Sequence, residues 1–138
     1  MSFLLDTNAI SEWTKPRPDP GLLAWMDSVD EDRTFISVIS LAELHHGVER
    51  LPQGKRRNQL ATWLREQLTL RFEGRILGVD AVTAEMWGKL ASTSESAGRP
   101  KGVMDTFLAA TAAVHRLTIV SRNVDDFPGV KVLNPWSA

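Results

Sequence analysis

Short apolar runs alternate with longer amphipathic stretches along the chain. Five runs predict β-strands, because each is short, apolar and rich in Leu, Val or Ile, as strands covered on both faces are. They lie at residues 3–5, 34–38, 76–79, 117–121 and 130–133. Asp6 follows the first run directly and Asp80 follows the third. Strands of this kind belong to a parallel sheet that helices cover.

The stretches between these runs have helical character. Their apolar residues recur three and four positions apart, or they are rich in Ala. They lie at residues 22–29, 41–48, 60–72, 86–97 and 104–115. Ser40 and Glu43 have the spacing of a capping box, which predicts a helix that begins at Ser40. Segment 92–102 is rich in Ser, Gly and Lys or Arg and is predicted to be a loop.

Alternation of strands and helices favours an α/β fold with a central parallel sheet and helices on both faces. The chain has 138 residues, of which 43% are hydrophobic and 24% charged, an ordinary globular composition. That length predicts one domain over residues 1–138, with enough buried surface for one core. No internal repeat or linker interrupts the pattern.

Charge and cysteine content narrow the range of functions. The formal net charge is -1, so bulk electrostatic attraction to nucleic acid is not expected. Contact with nucleic acid would need local basic patches or bridging metal ions. The chain has no Cys, which excludes disulfides, thiolate zinc sites and thiol nucleophiles. The first residues show no signal peptide and no apolar run approaches the ~18 residues of a membrane span, so we expect a cytoplasmic protein.

Acidic residues stand where predicted strands end or helices begin. Asp6 follows the first strand, Glu43 lies early in the helix after the second strand, and Asp105 opens the helix before the fourth strand. Since ligands bind beyond the carboxyl ends of parallel strands, these acids are expected to converge. Converging carboxylates repel one another unless a cation compensates them, and Mg²⁺ prefers oxygen ligands.

Each acid also has a structural interpretation. Asp6 is suited to cap the next helix, Glu43 to complete a capping box with Ser40, and Asp105 to complement a helix dipole. The joint placement of the three is what favours a functional site. If the acids bind Mg²⁺, two ions ~3.5–4 Å apart would activate a water and stabilise the leaving oxygen in phosphodiester hydrolysis.

Basic residues give weaker signals. Arg99 and Lys101 lie in the predicted loop before Asp105, where they would hold a scissile phosphate or simply form a surface loop. The run Lys55-Arg56-Arg57 is more typical of a solvated helix face than of a phosphate contact.

Aromatic residues and histidines are interpreted mainly as structural. Trp63 and Trp87 fall on apolar helical stripes, which predicts packing, while Trp13 and Trp25 are candidates for a partner groove. The three histidines, His45, His46 and His115, have no metal-ligand spacing.

Four blocks of the sequence together resemble the signature of the PIN domain. They are Leu4-Leu5-Asp6-Thr7-Asn8, then Ile39-Ser40-Leu41-Ala42-Glu43-Leu44, then Asp105-Thr106-Phe107-Leu108-Ala109-Ala110-Thr111-Ala112, then Val120-Ser121-Arg122-Asn123 with Asp126-Phe127. More narrowly, the chain resembles VapC- and FitB-like toxins of type II toxin–antitoxin modules. The resemblance runs from Phe3 to about Trp136.

This resemblance implies a three-layer α/β/α fold and a ribonuclease that depends on Mg²⁺ or Mn²⁺. It implies Asp6 and Asp105 as direct metal ligands. Glu43 would bind metal directly or through water, or position the attacking water. Thr7 and Ser121 would contribute hydroxyl groups behind these ligands.

One residue departs from the family pattern. Many members carry an acid at the position of Asn123, whose amide can coordinate or hold a water but brings no charge. Asp126 is close in sequence and is a candidate to compensate. One strongly bound ion, with a second arriving with substrate, is the expectation.

The resemblance also implies partners. Relatives form homodimers and higher toxin–antitoxin assemblies, and a small VapB-like antitoxin blocks the active site with its C-terminal segment. That segment commonly places an Arg or Lys among the acids, where its charge replaces that of the metal.

Other functions remain as alternatives. A phosphoacceptor signalling domain would also place acids around Mg²⁺, but it requires paired acids after the first strand and a Lys after the last core strand. Here Thr7 and Asn8 follow Asp6, and Arg122 is the nearest basic residue to the fourth strand. A haloacid-dehalogenase-type phosphatase requires Asp at position 8. A catalytically silent module whose acids dock a basic peptide is a further alternative, which metal-dependent turnover would exclude.

Overall fold

Five short parallel strands form the centre of the protein. In the computed structural model, which describes residues 1–137, they are β1 (Phe3–Leu5), β2 (Thr34–Ser37), β3 (Ile76–Leu77), β4 (Thr118–Val120) and β5 (Val132–Leu133). Their order is β3-β2-β1-β4-β5, and every neighbouring pair is parallel. The predicted parallel sheet is confirmed. Because β1 is central, Asp6 lies in the middle of the carboxyl edge.

Helices connect the strands. They are α1 (Thr7–Glu12), α2 (Pro20–Ser28), α3 (Val38–Glu49), α4 (Lys55–Thr62), α5 (Thr69–Arg71), α6 (Ala81–Ser96) and α7 (Val103–His115). A 3₁₀ turn at Glu31–Arg33 precedes β2, and a π-helical segment at Trp63–Leu68 joins α4 to α5. No helix within residues 1–137 combines the length and apolar character that would let it cross a membrane.

Two apolar cores lie on opposite faces of the sheet. Along β1, Phe3 and Leu5 belong to one core and Leu4 to the other, since successive strand residues point to opposite faces. The first core includes residues of α1 to α4 and of the π-helical segment, and the second includes residues of α6 and α7. Both Leu4 and Leu5 are fully buried. The three-layer α/β/α architecture is confirmed.

The helix after β2 begins earlier than predicted. Ser37 is its N-cap, because the Ser37 hydroxyl accepts from the N–H of Ile39 at 3.0 Å. The strand therefore ends at Ser37 rather than at residue 38. Ser40 does not cap the helix, so the capping-box prediction is wrong. Ser40 and Glu43 instead lie inside α3, three residues apart on one face.

The predicted loop 92–102 is wrong over its first half. α6 continues to Ser96, and the loop starts at Ala97. The hydroxyl of Thr93 donates to the carbonyl of Lys89 within the helix, and Ser94 is buried. Hydroxyl side chains that suggested a loop are thus accommodated by the helix itself.

Trp63 and Trp87 pack as predicted. Trp63 contacts the first core, and Trp87 lies against Phe107 with ring centroids 5.4 Å apart. Trp13 and Trp25 also pack on the first core, where Trp25 meets Phe3 edge-on at 5.0 Å.

Candidate active site

Asp6 lies at the centre of the carboxyl edge of the sheet. Its N–H donates to the carbonyl of Val120 at 3.0 Å, which continues the β1–β4 pairing by one residue. Its Oδ1 then accepts from the N–H of Thr7 at 2.7 Å and so caps α1. The structural interpretation of Asp6 as a cap is therefore correct. It leaves Oδ2 for other contacts.

The hydroxyl of Ser121 organises the other side of Asp6. It donates to Asp6 Oδ2 at 2.7 Å. It accepts from Asn8 Nδ2 at 3.3 Å and from the N–H of Asn123 at 2.9 Å. A serine hydroxyl offers one donor and two acceptor positions, so every position is used. Ser121 is fully buried, and its hydroxyl fixes the orientation of the Asp6 carboxylate.

Thr7 links Asp6 to Glu43. The Thr7 hydroxyl donates to Glu43 Oε1 at 2.7 Å and lies 3.1 Å from Ser40 Oγ. Ser40 is fully buried, so this contact forms where α1 packs against α3. The face of α3 shared by Ser40 and Glu43 therefore points to the end of β1.

Asp105 completes a cluster of three acids drawn from three elements. It is half-buried in the first turn of α7. Burial, and then the nearby charges of Asp6, Asp126 and Glu43, together raise the pKa of Asp105 to about 6. Burial also raises the pKa of Asp6, against the bonds from Ser121 and Thr7, and Glu43 and Asp126 add to the increase. These carboxylates repel one another.

Asp126 adds a fourth carboxylate to this group, which we call the acidic cluster: Asp6, Glu43, Asp105 and Asp126. Asn123, by contrast, is exposed, and its bond to Ser121 uses the backbone N–H rather than the side-chain amide. Asn123 and Asp126 both follow β4 and were both candidates for the metal site. Of the two, Asp126 is the one whose charge helps to raise the pKa of Asp6 and of Asp105.

No cation within residues 1–137 forms an ion pair with the acidic cluster. The salt bridges in this part of the chain involve other acids, namely Glu12, Glu31, Glu49 and Glu85. Asn8 Oδ1 is also buried beside Ser121 without a hydrogen-bond partner among these residues. Uncompensated carboxylates and an unused acceptor suit a hard divalent cation with its bound waters.

The carboxylates do not form a closed cage. Over residues 1–137 no three His, Asp or Glu side chains converge closely enough to hold a metal ion by themselves. Mg²⁺ usually takes only one or two carboxylates and completes its shell with water and substrate phosphates. The residues fit an open site of this kind.

The two basic candidates differ in position. Lys101 Nζ donates to the carbonyl of Asp125 at 2.7 Å, which holds Lys101 beside the acidic cluster. The exposed side chain of Arg99 makes no hydrogen bond or ion pair to the residues that the structure describes.

Other sequence signals lie outside the site. Within the basic run, Arg56 donates to the carbonyl of Thr14 and Arg57 pairs with Glu49, so both have structural contacts. The three histidines are exposed.

Sequence reasoning missed two site residues, Asn8 and Ser40. Asn8 was named within a signature block and as evidence against the signalling and phosphatase alternatives, and Ser40 was assigned to a helix cap. For Asn8 the available signal was its place two residues after Asp6 in a first helical turn. For Ser40 it was the three-residue spacing to Glu43, which puts both on one helix face.

An apolar cavity of about 260 Å³ adjoins the acidic cluster. Glu43 is part of its wall, together with apolar residues of α3, α4 and the π-helical segment. These include Leu44, Val48, Leu60, Trp63 and Leu64. An apolar surface therefore continues directly from the acids.

The chain is similar to known proteins in both sequence and structure. Residues 3–133 match the PIN domain family. The chain is 38% identical to Toxin FitB of Neisseria gonorrhoeae over 136 residues, which cover 97% of this chain and 98% of that protein. It is 33% identical to VapC ribonuclease Y4jK of Sinorhizobium fredii over 136 residues, or 97% of each chain. The crystal structure of FitAcB from Neisseria gonorrhoeae superposes with a TM-score of 0.92 at 37% identity and covers 99% of both chains.

Proposed function

Because the chain belongs to the PIN domain family, we propose that it is the toxin of a type II toxin–antitoxin module and acts as a metal-dependent endoribonuclease. The observation that carries this proposal is the acidic cluster, whose carboxylates influence one another's pKa values without an ion pair to a cation among residues 1–137. Its proposed substrate is RNA, and its proposed location is the cytoplasm. Residues 1–138 would form a single domain.

Asp6 and Asp105 would hold a Mg²⁺ or Mn²⁺ ion directly, and Glu43 would hold it through water. When bound, such an ion activates a water and stabilises the charge on the leaving oxygen of a phosphodiester. Burial, and then the neighbouring carboxylates, raise the pKa values of Asp6 and Asp105, and a bound cation would favour the ionised forms again. Asp126 would take the place of the acid that Asn123 lacks.

The surrounding residues orient these carboxylates. Ser121 and the Thr7 N–H fix both oxygens of Asp6, and the Thr7 hydroxyl fixes Glu43. Mutation of residues that hydrogen-bond to metal ligands commonly lowers metal affinity or activity by roughly 10- to 100-fold. Lys101, beside Asp125, and the exposed side chain of Arg99 would hold the RNA phosphate against the acids.

A VapB-like antitoxin is the proposed inhibitor. A basic residue from its C-terminal segment would enter the acidic cluster and pair with carboxylates that have no cation of their own. Apolar residues of the same segment would fill the cavity beside Glu43, which places the two contacts next to each other. By the same family resemblance, the toxin would be a homodimer within a larger toxin–antitoxin assembly.

The test is cleavage of a total small-RNA pool by purified protein free of antitoxin. It compares Mg²⁺, Mn²⁺ and chelator, with the Asp6→Asn variant alongside. We expect discrete products that require both metal and Asp6. Folded protein that binds metal but cleaves nothing under any condition would instead support a silent binding module.

A further inference from the structure

A second cavity lies beside Arg122, the residue after Ser121, and its wall carries more basic than acidic side chains. Its volume is about 530 Å³, and it lies between the end of α1, the turn before α2 and the residue after Ser121. Its wall carries three cationic side chains, Lys15, Arg17 and Arg122, and two acids, Glu12 and Asp19. We call it the basic pocket.

Both acids of the basic pocket are engaged by the chain itself. Glu12 Oε1 accepts from Lys15 Nζ at 2.6 Å, and Glu12 Oε2 accepts from the N–H of Asp19 at 2.8 Å. Asp19 Oδ2 accepts from the N–H groups of Leu22 and Ser137 at 3.0 and 2.9 Å. Glu12 is only 4% exposed, and its ion pair with Lys15 offsets most of its charge.

The two arginines are available by contrast. Within residues 1–137, neither Arg17 nor Arg122 forms a salt bridge or a side-chain hydrogen bond, and both are exposed. The guanidinium of Arg122 lies 5.9 Å from the centre of the Trp136 ring, which holds it at the cavity wall. Guanidinium groups with free N–H donors are well suited to phosphate.

The basic pocket is continuous with the acidic cluster through the backbone. Arg122 stands between Ser121, whose hydroxyl bonds to Asp6, and Asn123, whose N–H bonds to Ser121. Arg122 therefore directly follows the residue that orients Asp6, which brings one wall of the basic pocket to the backbone beside the acidic cluster. The acidic cluster alone repels an RNA strand, so a cationic surface beside it would offset that repulsion.

We infer that the basic pocket binds the phosphates of the RNA strand next to the scissile bond, with Arg17 and Arg122 as the phosphate contacts. Trp136 positions Arg122, and Lys15 keeps Glu12 paired. This inference rests on the proposed ribonuclease function and adds the path of its substrate. The residues are distinct from Arg99 and Lys101, which lie in the loop before α7.

The test measures RNA binding as a function of salt. The probe is a fluorescein-labelled, random-sequence, single-stranded RNA of 12 nucleotides, with chelator present to stop turnover. Arg17→Gln and Arg122→Gln are compared with the parent. The control is Arg33→Gln. Arg33 is exposed and directly precedes β2, so it lies at the amino end of the strands, whereas the acidic cluster lies at their carboxyl end.

Each pocket variant should weaken binding roughly two- to fivefold at moderate salt. Each should also reduce the slope of log K against log salt by about 0.7, the amount for one phosphate contact to a single strand. In cleavage assays with metal, KM should rise while kcat changes little. Arg33→Gln should leave the slope and KM unchanged. A purely structural role of the arginines would lower the melting temperature without changing the slope.

The outcomes separate this inference from the proposed function. If the parent cleaves RNA but the slopes of both pocket variants equal the parent slope, the basic pocket is not on the RNA path and the inference is overturned. If the parent binds RNA with altered slopes in the variants but never cleaves, the pocket is supported and the ribonuclease proposal fails. A parent chain that neither binds RNA in chelator nor cleaves it with metal overturns both.

Discussion

Two buried acids on the same short helix show what distinguishes the acidic cluster from the rest of the protein. Asp6 caps α1 and Glu12 ends it, and they are 5% and 4% exposed. Each accepts two hydrogen bonds. Burial would raise the pKa of both. For Glu12, bonds from Lys15 and the Asp19 N–H outweigh burial and lower the pKa, whereas Asp6 keeps a raised pKa.

The neighbouring charges act in opposite directions on the two acids and add to this difference. Lys15 and Arg122 favour the ionised form of Glu12, and Glu43 and Asp126 oppose that of Asp6. A carboxylate with its own cation contributes to stability, whereas one among other carboxylates costs stability until a cation arrives. Burial alone therefore does not identify a functional acid, but burial without charge compensation does.

The largest expected effect is on RNA cleavage in Asp6→Asn. We expect activity to fall about 100-fold or more, as when a main electrostatic element of an active site is removed. The fold should survive, since Asn is as good an N-cap as Asp. In chelator at pH 7 the melting temperature should stay equal or rise, because a repelled charge is gone. Asp105→Asn should behave alike, and full activity in both variants would contradict the metal-site assignment.

Glu12→Gln should have the opposite effect on stability. It removes the ion pair with Lys15 and weakens the bond from the Asp19 N–H. We expect a loss of about 1–2 kcal/mol in the free energy of unfolding, measured by urea denaturation at pH 7. Lys15 is half-exposed and can be solvated, which keeps the loss below that of a fully buried pair. A variant as stable as the parent would mean that Glu12 is not a structural acid.

Thr7→Val tests how Glu43 is positioned. It removes the hydroxyl that donates to Glu43 but keeps the shape of the side chain. We expect roughly tenfold lower cleavage, within the range for residues behind metal ligands. Thr7→Ser should restore most of the activity because it restores the donor. Equal activity of the Val and Ser variants would show that this bond is dispensable.

Acid pH should separate the two regions in metal-free protein. The pKa of Asp105 is about 6 in the folded protein against an ordinary value of 3.8, so the folded state binds this proton more tightly. The free energy of unfolding should therefore fall as pH rises from about 4 to about 6 and then level off. Asp105→Asn should flatten this fall in urea titrations. Glu12 contributes with the opposite sign, since its lowered pKa makes its stabilisation disappear as pH drops below about 4.5.

The smallest expected effect is that of Asn123→Asp. An added carboxylate should tighten the binding of a second Mn²⁺ several-fold, because ligand charge increases cation affinity. Calorimetric titration and the metal dependence of the cleavage rate both report it. An unchanged metal dependence would mean that position 123 is not a ligand, and that Asp126 alone supplies the fourth carboxylate.

Sequence patterns predicted the sheet well because its strands are short apolar runs that end in polar residues. They predicted Asp6, Glu43 and Asp105 because parallel strands bring such positions to one edge. They failed where a side chain has two possible roles. Ser40 has the spacing of a cap, yet Ser37 caps the helix and Ser40 packs against Thr7. Residues 92–96 have loop composition, yet helix bonds accommodate their hydroxyls.

Sequence patterns did not predict the role of Asn8, the basic pocket or the apolar cavity beside Glu43, for a different reason. Each depends on side chains from separate parts of the chain. Asn8 acts through Ser121, and Arg17 and Arg122 are about a hundred positions apart in the chain. Such relations follow from the packing of α1 against the end of β4, which periodicity does not specify.

The most direct test of the central claim is calorimetric titration of Mn²⁺ into the parent, Asp6→Asn and Glu12→Gln at one pH near 7. If the acidic cluster is a cation site, the parent and Glu12→Gln should bind the metal with similar affinity, and Asp6→Asn should bind it at least tenfold more weakly. Binding should release protons near pH 6, where Asp105 is partly protonated. Equal binding by the parent and Asp6→Asn would contradict the claim that these uncompensated acids hold the metal.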